Sequence, residues 1–158
     1  MVYDSQRGKV VMFGGYTGSG SSYYADTWEW DGADWTKILT PASPPARGHH
    51  TCAYDAERGR VVLFGGHQNG PRFNDTWEYD GTTWQLMQPV TAPGPRGGAT
   101  MAFDPVRETT ILFGGWDNGY VSDTWEWDGT DWRPLPSAQI PTARGNHRIV
   151  ALSDTGPL

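Results

Sequence analysis

Phe64-Gly65-Gly66, followed by Asp75-Thr76-Trp77-Glu78-Tyr79-Asp80-Gly81 and then by Trp84, is one copy of a pattern that occurs three times in this chain of 158 residues. The other two copies run from Phe13 to Trp35 and from Phe113 to Trp132. Successive Gly-Gly pairs are about 50 residues apart, a period typical of repeat proteins in which each unit buries its faces against its neighbours. The chain is therefore expected to consist of three similar supersecondary units.

Each unit carries the signals of four short strands, here called strands A to D. In the middle unit, residues 49–54 and 61–64 are rich in β-forming residues and are separated by a turn. Residues 76–79 make a third run, and Asp80-Gly81 is typical of a tight hairpin that leads into a fourth run at 83–86. Prolines then end the strand pairing, because proline has no N–H to donate. The unit reads as an antiparallel meander.

Strand B of every unit is a continuous apolar run without polar alternation, at residues 10–13, 61–64 and 110–113. This pattern indicates that both faces of the strand are buried. A small sheet with two covered faces needs a neighbour on each side, which radial stacking in a β-propeller supplies. The sequence therefore predicts an all-β fold of three four-stranded antiparallel propeller blades. A β-solenoid is the alternative, although its repeats are usually shorter and lack the Asp-Gly hairpin.

The same residues resemble the kelch repeat, and in particular the repeats of bacterial kelch-type proteins. The resemblance lies in the apolar strand ending in Gly-Gly, in Asn74-Asp75-Thr76-Trp77-Glu78-Tyr79-Asp80, and in Arg47-Gly48-His49 ahead of a strand A. Ala25 and Ser122 stand where the family often has Asn. The resemblance covers nearly the whole chain, implies kelch-type propeller blades and favours an extracellular or cell-surface location. It implies no single function, because the family includes interaction modules, carbohydrate-related proteins and a few enzymes.

The repeat also predicts the blade boundaries. Residues 1–46 form blade 1 with a truncated first strand, residues 47–95 form blade 2, and residues 96–143 form blade 3. Residues 144–158 match the first strand of a further blade. Propellers have about four to eight blades, so three blades are incomplete as a single chain. The remaining blades would come from a longer chain or from a second copy that completes the ring.

Composition argues against several kinds of partner. The net charge of −6 disfavours nucleic acid, whose phosphates require clustered Lys and Arg. No apolar run reaches the roughly 18 residues of a membrane-spanning helix. Cys52 is the single cysteine and corresponds to Met1 and Met101 of the other units, so it is interpreted as a small core residue. His49 and His50 would point to opposite faces of a predicted strand, so no metal site and no cofactor are expected.

The recurring aromatic and charged residues are interpreted as architecture. Trp28, Trp77 and Trp125 are expected to pack between sheets, with the strand-D Trp of each unit reaching them across the hairpin. Each strand-C glutamate points to the opposite, covered face, where a carboxylate needs a partner. A Pro-rich linker with an Arg-Gly pair follows each unit, so we predict buried ion pairs between these arginines and glutamates. The residues concerned are Arg47, Arg96, Arg144, Glu29, Glu78 and Glu126.

Function is expected where the copies differ. The B–C connections, residues 16–25, 67–74 and 116–122, vary in length and sequence, and the meander places all three on one face. They are rich in Tyr, Trp, Arg and Asn, a mixture typical of recognition loops, although surface loops also vary when nothing selects them. The candidate ligand-binding residues are Tyr16, Tyr23, Tyr24, His67, Gln68, Asn69, Arg72, Trp116, Asp117, Asn118 and Tyr120.

Two functions fit this pattern. The favoured one is a non-enzymatic binding module that presents its variable loops to a protein or a glycan. The alternative is a carbohydrate-active propeller, galactose-oxidase-like or sugar-processing, which would need closely placed titratable groups on the loop face. Apart from the aspartates that precede strand C, Asp117 is the only acidic residue of the three loops. No catalytic residue is therefore assigned.

Overall fold

The computed structural model describes residues 1–18 and 22–150. Over these residues it contains strands, turns and loops but no helix, and twelve strands form three antiparallel sheets of four. The first sheet consists of β1 (Val2–Asp4), β2 (Lys9–Tyr16), β3 (Tyr23–Trp30) and β4 (Trp35–Ile38). The second consists of β5 (Thr51–Asp55), β6 (Arg60–Phe64), β7 (Thr76–Tyr79) and β8 (Trp84–Leu86). The third consists of β9 (Thr100–Asp104), β10 (Thr109–Phe113), β11 (Thr124–Trp127) and β12 (Trp132–Pro134).

Each sheet is a meander in which consecutive strands are hydrogen-bonded neighbours. The first strands of adjacent sheets contact one another, β1 with β5 and β5 with β9, while the fourth strand of each sheet lies at the opposite edge. The sheets are thus three blades of a β-propeller that is not closed in this chain, which confirms the predicted fold class. The blade boundaries stay predictions, and the expected strand in 144–158 extends into residues 151–158, outside the described part of the chain.

The second strand of the middle blade is covered on both faces. In β6 the four side chains of Val61–Phe64 are at most 1 % exposed. In β2, by contrast, Val11 is buried and Met12 is partly exposed, and in β10 Leu112 is buried and Ile111 is partly exposed. Burial of both faces is therefore confirmed for the middle blade and wrong for the outer two. The reason is that each outer blade has a single neighbouring blade in this chain.

Apolar clusters fill the two spaces between blades. Between blades 1 and 2, Trp84 is fully buried, stacks on Tyr79 and meets the ring of Phe13 edge-on. Its Nε1 donates a hydrogen bond of 2.9 Å to Thr27 Oγ1 of the preceding blade. Between blades 2 and 3 the corresponding residues are Trp132, Trp127, Phe64 and Thr76. Burying about 200 Å² of one such side chain contributes roughly 5 kcal/mol, so these aromatics are the main apolar attachment between blades.

The first tryptophan of strand C packs against the cluster between blades in blades 2 and 3, as predicted, but it does not meet the strand-D Trp. Trp84 lies opposite Tyr79 in the sheet, whereas Trp77 lies opposite Leu86. The Nε1 of Trp77 donates instead to Asp75 Oδ2 at 2.7 Å, and Trp28 and Trp125 repeat this bond in the other units. The predicted contact between the first strand-C Trp and the strand-D Trp is wrong, because the Asp-Gly hairpin sets a register that pairs the strand-D Trp with the last aromatic of strand C.

The buried linker arginines pair with aspartates, and the predicted Arg–Glu pairing is wrong. Arg47 is fully buried, with Nη1 and Nη2 at 2.6 and 2.7 Å from the two carboxylate oxygens of Asp75. Arg96 makes the same bidentate pair with Asp123. The main chain of Arg47 belongs to the edge of blade 1, since its carbonyl accepts a hydrogen bond of 2.9 Å from Gly15 N. Its guanidinium therefore joins blade 2 to blade 1.

The strand-C glutamates are held by an arginine of the A–B turn that the repeat pattern did not single out. Arg58 Nη2 lies 2.6 Å from Glu78 Oε1, and its Nε lies 2.8 Å from Asp55 Oδ2. Trp127 Nε1 of the next blade also donates to Glu78, at 2.8 Å. Arg7 makes the corresponding ion pairs in blade 1. The glutamate thus faces the neighbouring blade, as its position in the strand predicts, but its cation comes from its own blade.

Arg144 and Glu126, the last members of the predicted set, have no oppositely charged partner within residues 1–18 and 22–150. Arg144 Nε donates to the carbonyl of Thr142 at 2.8 Å, as the other linker arginines do to the residue two positions earlier. In the other two units, the aspartate that pairs with the linker arginine belongs to the blade that follows it. No sheet follows Arg144 within the described residues. Arg107 of blade 3 contacts Asp104 at 3.5 Å and does not reach Glu126.

The Gly-Gly pairs allow the carbonyl of the linker arginine to approach the edge of the blade closely. Gly65 has φ +67°, and a Cβ on it would lie 2.5 Å from the carbonyl oxygen of Arg96. Gly66 N donates to that same oxygen at 2.8 Å. The expected need for a left-handed backbone and a close approach is confirmed at this position.

Replacing Arg47 by Met is expected to lower the free energy of unfolding by about 3 kcal/mol, because Asp75 and the carbonyl of Gly65 lose a buried donor. Urea unfolding followed by tryptophan fluorescence measures the change. Arg133→Met is the control, at an arginine whose side chain is 67 % exposed and pairs with Asp128. It should cost less than about 1 kcal/mol. Equal losses in the two variants would contradict the role of Arg47 as a bridge between blades.

Stability is also expected to fall as the pH is lowered below about 6.5, through His50. Its ring meets Phe13 edge-on, and its Nδ1 is buried without a hydrogen-bond partner among the described residues. Burial lowers the pKa of His50 to about 3, and the charge of Arg47 adds to the effect. The unfolded chain takes up this proton near pH 6.5 and the folded chain does not, so acid favours unfolding. Between pH 7 and pH 5 the loss is up to about 2 kcal/mol.

The His50→Ala variant, which copies Ala99 of blade 3, should flatten this dependence. Chemical denaturation at a series of pH values between 7 and 5 gives the comparison. An identical pH slope in the parent protein and the variant would show that His50 is not the responsible group.

Candidate binding face

The B–C loops and the linkers between blades meet on one face of the sheets, as the meander topology predicts. Gly48 of one linker is bridged to His67 of a B–C loop, and Gly97 of the next linker to Trp116. A cavity of about 260 Å³ opens between these segments. Besides linker glycines, it is lined by His49, His67, Arg72, Trp116, Tyr120 and Asn146.

A row of stacked rings leads into this cavity from blade 1. Tyr16 stacks on Tyr23 with ring centroids 5.7 Å apart, and on His49 at 5.0 Å. His49 stacks in turn on His67 at 5.0 Å, with ring planes only 9° apart. Tyr23 also contacts His67 in a T-shaped arrangement, with ring centroids 5.8 Å apart. These rings form a continuous wall that crosses from blade 1 to blade 2.

Arg72 and Trp116 form the wall between blades 2 and 3. The guanidinium carbon of Arg72 lies 3.5 Å from the centroid of the Trp116 ring, a cation–π contact. Arg72 Nη1 also lies 3.2 Å from Asp117 Oδ1, which belongs to the next B–C loop. Trp116 nevertheless keeps 45 % of its surface exposed. The loops of two blades are thus tied to each other while an aromatic face stays open.

Backbone contacts hold both loops in compact hairpins. His67 is bridged to Arg72, and Trp116 to Tyr120, across the tips of their loops. Each tip contains an Asn in the left-handed region, Asn69 with φ 49° and Asn118 with φ 51°. Asparagine tolerates this conformation better than most residues. The cavity walls are therefore set by the loop backbone.

The B–C connection of blade 1 differs from the prediction. β2 and β3 continue past the Gly-Gly pair, so that Gly15 lies opposite Tyr24 and Tyr16 opposite Tyr23. A bulge between Phe13 and Gly15 permits this extension. Tyr16 and Tyr23 were expected in a loop and lie in strands, because their rings form an aromatic cross-strand pair that stabilises the longer hairpin.

The structure brings together most, but not all, of the residues predicted to bind a ligand. Four of them line the cavity: His67, Arg72, Trp116 and Tyr120. Three more contact those residues or the adjoining ring row: Tyr16, Tyr23 and Asp117. The exposed loop residues Gln68, Asn69 and Asn118 lie outside the lining. Tyr24 lines a separate, more open cavity of about 490 Å³ beside Asp26 and Lys37. Ligand binding by these residues stays a prediction.

His49 and Asn146 line the cavity and were not predicted to do so. His49 was expected in a strand, but β5 begins at Thr51 and His49 has φ 56°. Asn146 has φ 56° and Gly98 has φ 66° at the corresponding linker position. The position two residues after each linker arginine holds His, Gly or Asn, and Gly and Asn are the residues that most readily adopt a left-handed backbone. This was the signal in the sequence that these residues lie in a turn and not in a strand.

The imidazole of His67 is poorly suited to carry charge. Burial lowers the pKa of His67, and the nearby His49 and Arg72 lower it further. His67 is therefore neutral at pH 7 and offers one donor and one acceptor. Arg72 carries the positive charge of the cavity, partly balanced by Asp117. The face combines open aromatic surface with a small number of fixed polar groups.

Cys52 and the remaining histidines do not add a reactive centre to this face. Cys52 packs against the apolar cluster between blades 1 and 2, as expected from its position in the repeat, and burial raises the pKa of its thiol to about 11. Within residues 1–18 and 22–150, no group of three or more His, Cys, Asp or Glu side chains is arranged to hold a metal ion. Nor does that part of the chain contain a helix able to span a membrane.

Three propeller blades with a loop-lined cavity on one face define a repeat protein of the β-propeller class. A family model described as the KLHDC2/KLHL20/DRC7 Kelch-repeats domain matches residues 1–156. The chain therefore belongs to the kelch-repeat family and is a protein-interaction module, as kelch domains bind protein partners. No curated protein matches the chain in a sequence search.

The pKa of His67 provides a test of the cavity geometry. Asn146 occupies the position of His49 in the third linker. Replacing His49 by Asn removes a stacked imidazole and is expected to raise the pKa of His67 toward 6.5. A pH titration of the imidazole signals by NMR measures it. Gln68→Ala, at an exposed loop residue, should leave it unchanged. If His49→Asn leaves the titration of His67 unchanged, the two rings are not stacked in solution.

Proposed function

We propose that the cavity face binds a protein ligand, with Trp116, Arg72 and Tyr120 making the central contacts. The observation that carries this proposal is the stack of Arg72 on Trp116, beside a cavity that the loops of two blades enclose. Trp, Tyr and Arg are the residues most enriched among those that dominate the binding energy of protein interfaces. Here they stand together on the face where the repeat units differ.

Exposure of these side chains supports the proposal. Trp116 is 45 % and Tyr120 is 60 % exposed, and both rings lie at the mouth of the cavity. Large aromatic rings of this kind gain much contact area when a partner covers them, and each has only two side-chain torsions to fix. A loop or extended segment of a partner protein, inserting one apolar side chain between the rings, would use this gain.

Rigidity of the face supports it as well. The loop tips are closed by backbone bridges, Arg72 is fixed by Trp116 and Asp117, and His49 and His67 are stacked. Binding to groups that are already ordered costs less conformational entropy than binding to mobile loops. The neutral His67 and the partly balanced Arg72 favour a ligand that offers hydrogen bonds over one that relies on net charge.

Selection of displayed random peptides on the immobilised protein tests this function. Fluorescence polarisation then compares the affinity of a selected peptide for the parent protein and for Trp116→Ala and Arg72→Ala. We expect each substitution to weaken binding roughly 30-fold or more, as for a central interface contact. Val106→Ala is the matched control, at an exposed residue of an A–B turn on the opposite face, and should bind as the parent does.

The same variants distinguish other ligands and other faces. Peptide binding that survives both cavity substitutions but is lost in Val106→Ala would contradict the proposal. So would selective binding to a glycan array that Trp116→Ala abolishes, in the absence of any selected peptide.

A further inference from the structure

The two junctions between blades can be compared position by position on the cavity face. Each junction is bordered by the residue that follows the Gly-Gly pair of the earlier blade and by the corresponding residue of the later blade. The left-handed residue of the linker comes between these two in the sequence. At the junction of blades 1 and 2 the three positions hold Tyr16, His49 and His67. At the junction of blades 2 and 3 they hold His67, Gly98 and Trp116.

The backbone is the same at both junctions. Gly48 N donates to the carbonyl of His67 at 3.0 Å, and Gly97 N donates to the carbonyl of Trp116 at 3.2 Å. The next linker residue is left-handed in each case, His49 with φ 56° and Gly98 with φ 66°. Gly98 therefore has the backbone position of His49 but lacks its side chain.

The ring of His49 fills the first junction. Its centroid lies 5.0 Å from that of Tyr16 and 5.0 Å from that of His67, with ring planes 27° and 9° apart. One flat side chain thus joins the B–C loops of two blades by stacking on both.

The second junction has a cavity where the first has a ring. Among the described residues, the rings of His67 and Trp116 do not contact each other, and Gly98 places no side chain between them. The cavity of about 260 Å³ is lined by these three residues and by Gly97. We call its part over Gly98, between His67 and Trp116, the Gly98 slot. The cavity is smaller than the roughly 300–1,000 Å³ of sites for drug-sized molecules, which suits a single side chain.

Polar groups border the slot. Asn146 Oδ1 would lie 2.8 Å from a Cβ built on Gly98, and Arg72 and Tyr120 line the same cavity. The amide of Asn146 can both donate and accept a hydrogen bond. A flat ring that also carries a hydroxyl would use the stacking surfaces and these polar groups together, and tyrosine is the side chain with both features.

We infer that the partner of the cavity inserts a tyrosine side chain into the Gly98 slot, where its ring takes the place that His49 fills at the preceding junction. The inference rests on the protein-binding function proposed above and adds the side chain that the partner supplies. Both blades that border the slot are present in this chain.

Binding of 4-methylphenol, which reproduces the tyrosine side chain, tests the slot directly. Titrated into the isotope-labelled protein, it should shift the NMR signals of the Trp116 indole N–H and the Gly98 amide, with a Kd of about 1 mM. The control ligand is 4-methylcyclohexanol, which has the same hydroxyl on a puckered ring that cannot stack. It should bind about 5-fold more weakly. Equal affinities for the two compounds, or no shift at Trp116 and Gly98, would overturn the inference.

Two substitutions exchange the side chains of the two junctions. Gly98→His copies His49 and should abolish 4-methylphenol binding by filling the slot, since Asn146 Oδ1 is a terminal atom that can turn away. Gly8→His is the matched control, at a glycine with φ 67° in an A–B turn, where nothing lies within 4 Å of a built Cβ. It should bind as the parent does.

His49→Gly makes the opposite exchange. It copies Gly98 and should open a second slot between Tyr16 and His67, so that the protein binds two molecules of 4-methylphenol. Near-ultraviolet circular dichroism checks that each variant is folded. Unchanged binding in a folded Gly98→His protein would overturn the inference. If Gly98→His does not fold, the result for His49→Gly decides, and the absence of a second site there would overturn it.

The displayed peptides separate this inference from the function on which it rests. A peptide that requires Trp116 should lose roughly 30-fold in affinity when its tyrosine is replaced by leucine, and should not bind Gly98→His. A Trp116-dependent peptide that needs no aromatic residue would overturn the inference and leave the proposed function intact. If 4-methylphenol binds in the slot but no peptide can be selected, the protein-binding function fails and the assignment of the slot to an aromatic ring stands.

Discussion

The bidentate pair between a linker arginine and the aspartate of the next blade is the constraint on which the arrangement of sheets depends. Arg47 is bonded through its main chain to the Gly-Gly edge of blade 1 and through its guanidinium to Asp75 of blade 2. Burial alone would raise the pKa of Asp75, but the bonds and charge of Arg47 outweigh it and hold the pKa below its ordinary value. The carboxylate therefore stays ionised, and two sheets with no shared backbone hydrogen-bond ladder are held in one relative position.

The apolar contacts between blades follow from this placement. Once the linker fixes the edge of a blade, the strand-D Trp enters the space beside the preceding sheet and finds a hydroxyl for its N–H. The same linkers approach the B–C loops closely enough to form the cavity. The cavity and the packing of the blades thus both depend on one short segment, Arg-Gly followed by a left-handed residue.

The fold was predictable from the sequence because its signals are local and repeated. The Asp-Gly hairpins, the apolar strand B and the Gly-Gly pairs each predict one local structure. All three signals recur in every unit. The ion pairs were not predictable, because Arg47 has both an aspartate and a glutamate of the next blade within reach along the sequence, and only three-dimensional register selects Asp75. The role of Arg58 was missed for the same reason, since a charged residue in a turn usually lies in solvent. Four cavity residues followed from loop variation, whereas His49 and Asn146 depended on a backbone conformation that residue type alone does not fix.

The direction of the inter-blade contacts has a consequence for biosynthesis. At both interfaces, tryptophans of the later blade donate to acceptors of the earlier blade, whereas the linker arginine of the earlier blade donates to an aspartate of the later one. A polypeptide leaving the ribosome from its N-terminus therefore exposes each set of acceptors first, and the tryptophans that cover them arrive about 50 residues later. Assembly can advance blade by blade in the order of translation, with each newly made sheet shielding the one already folded.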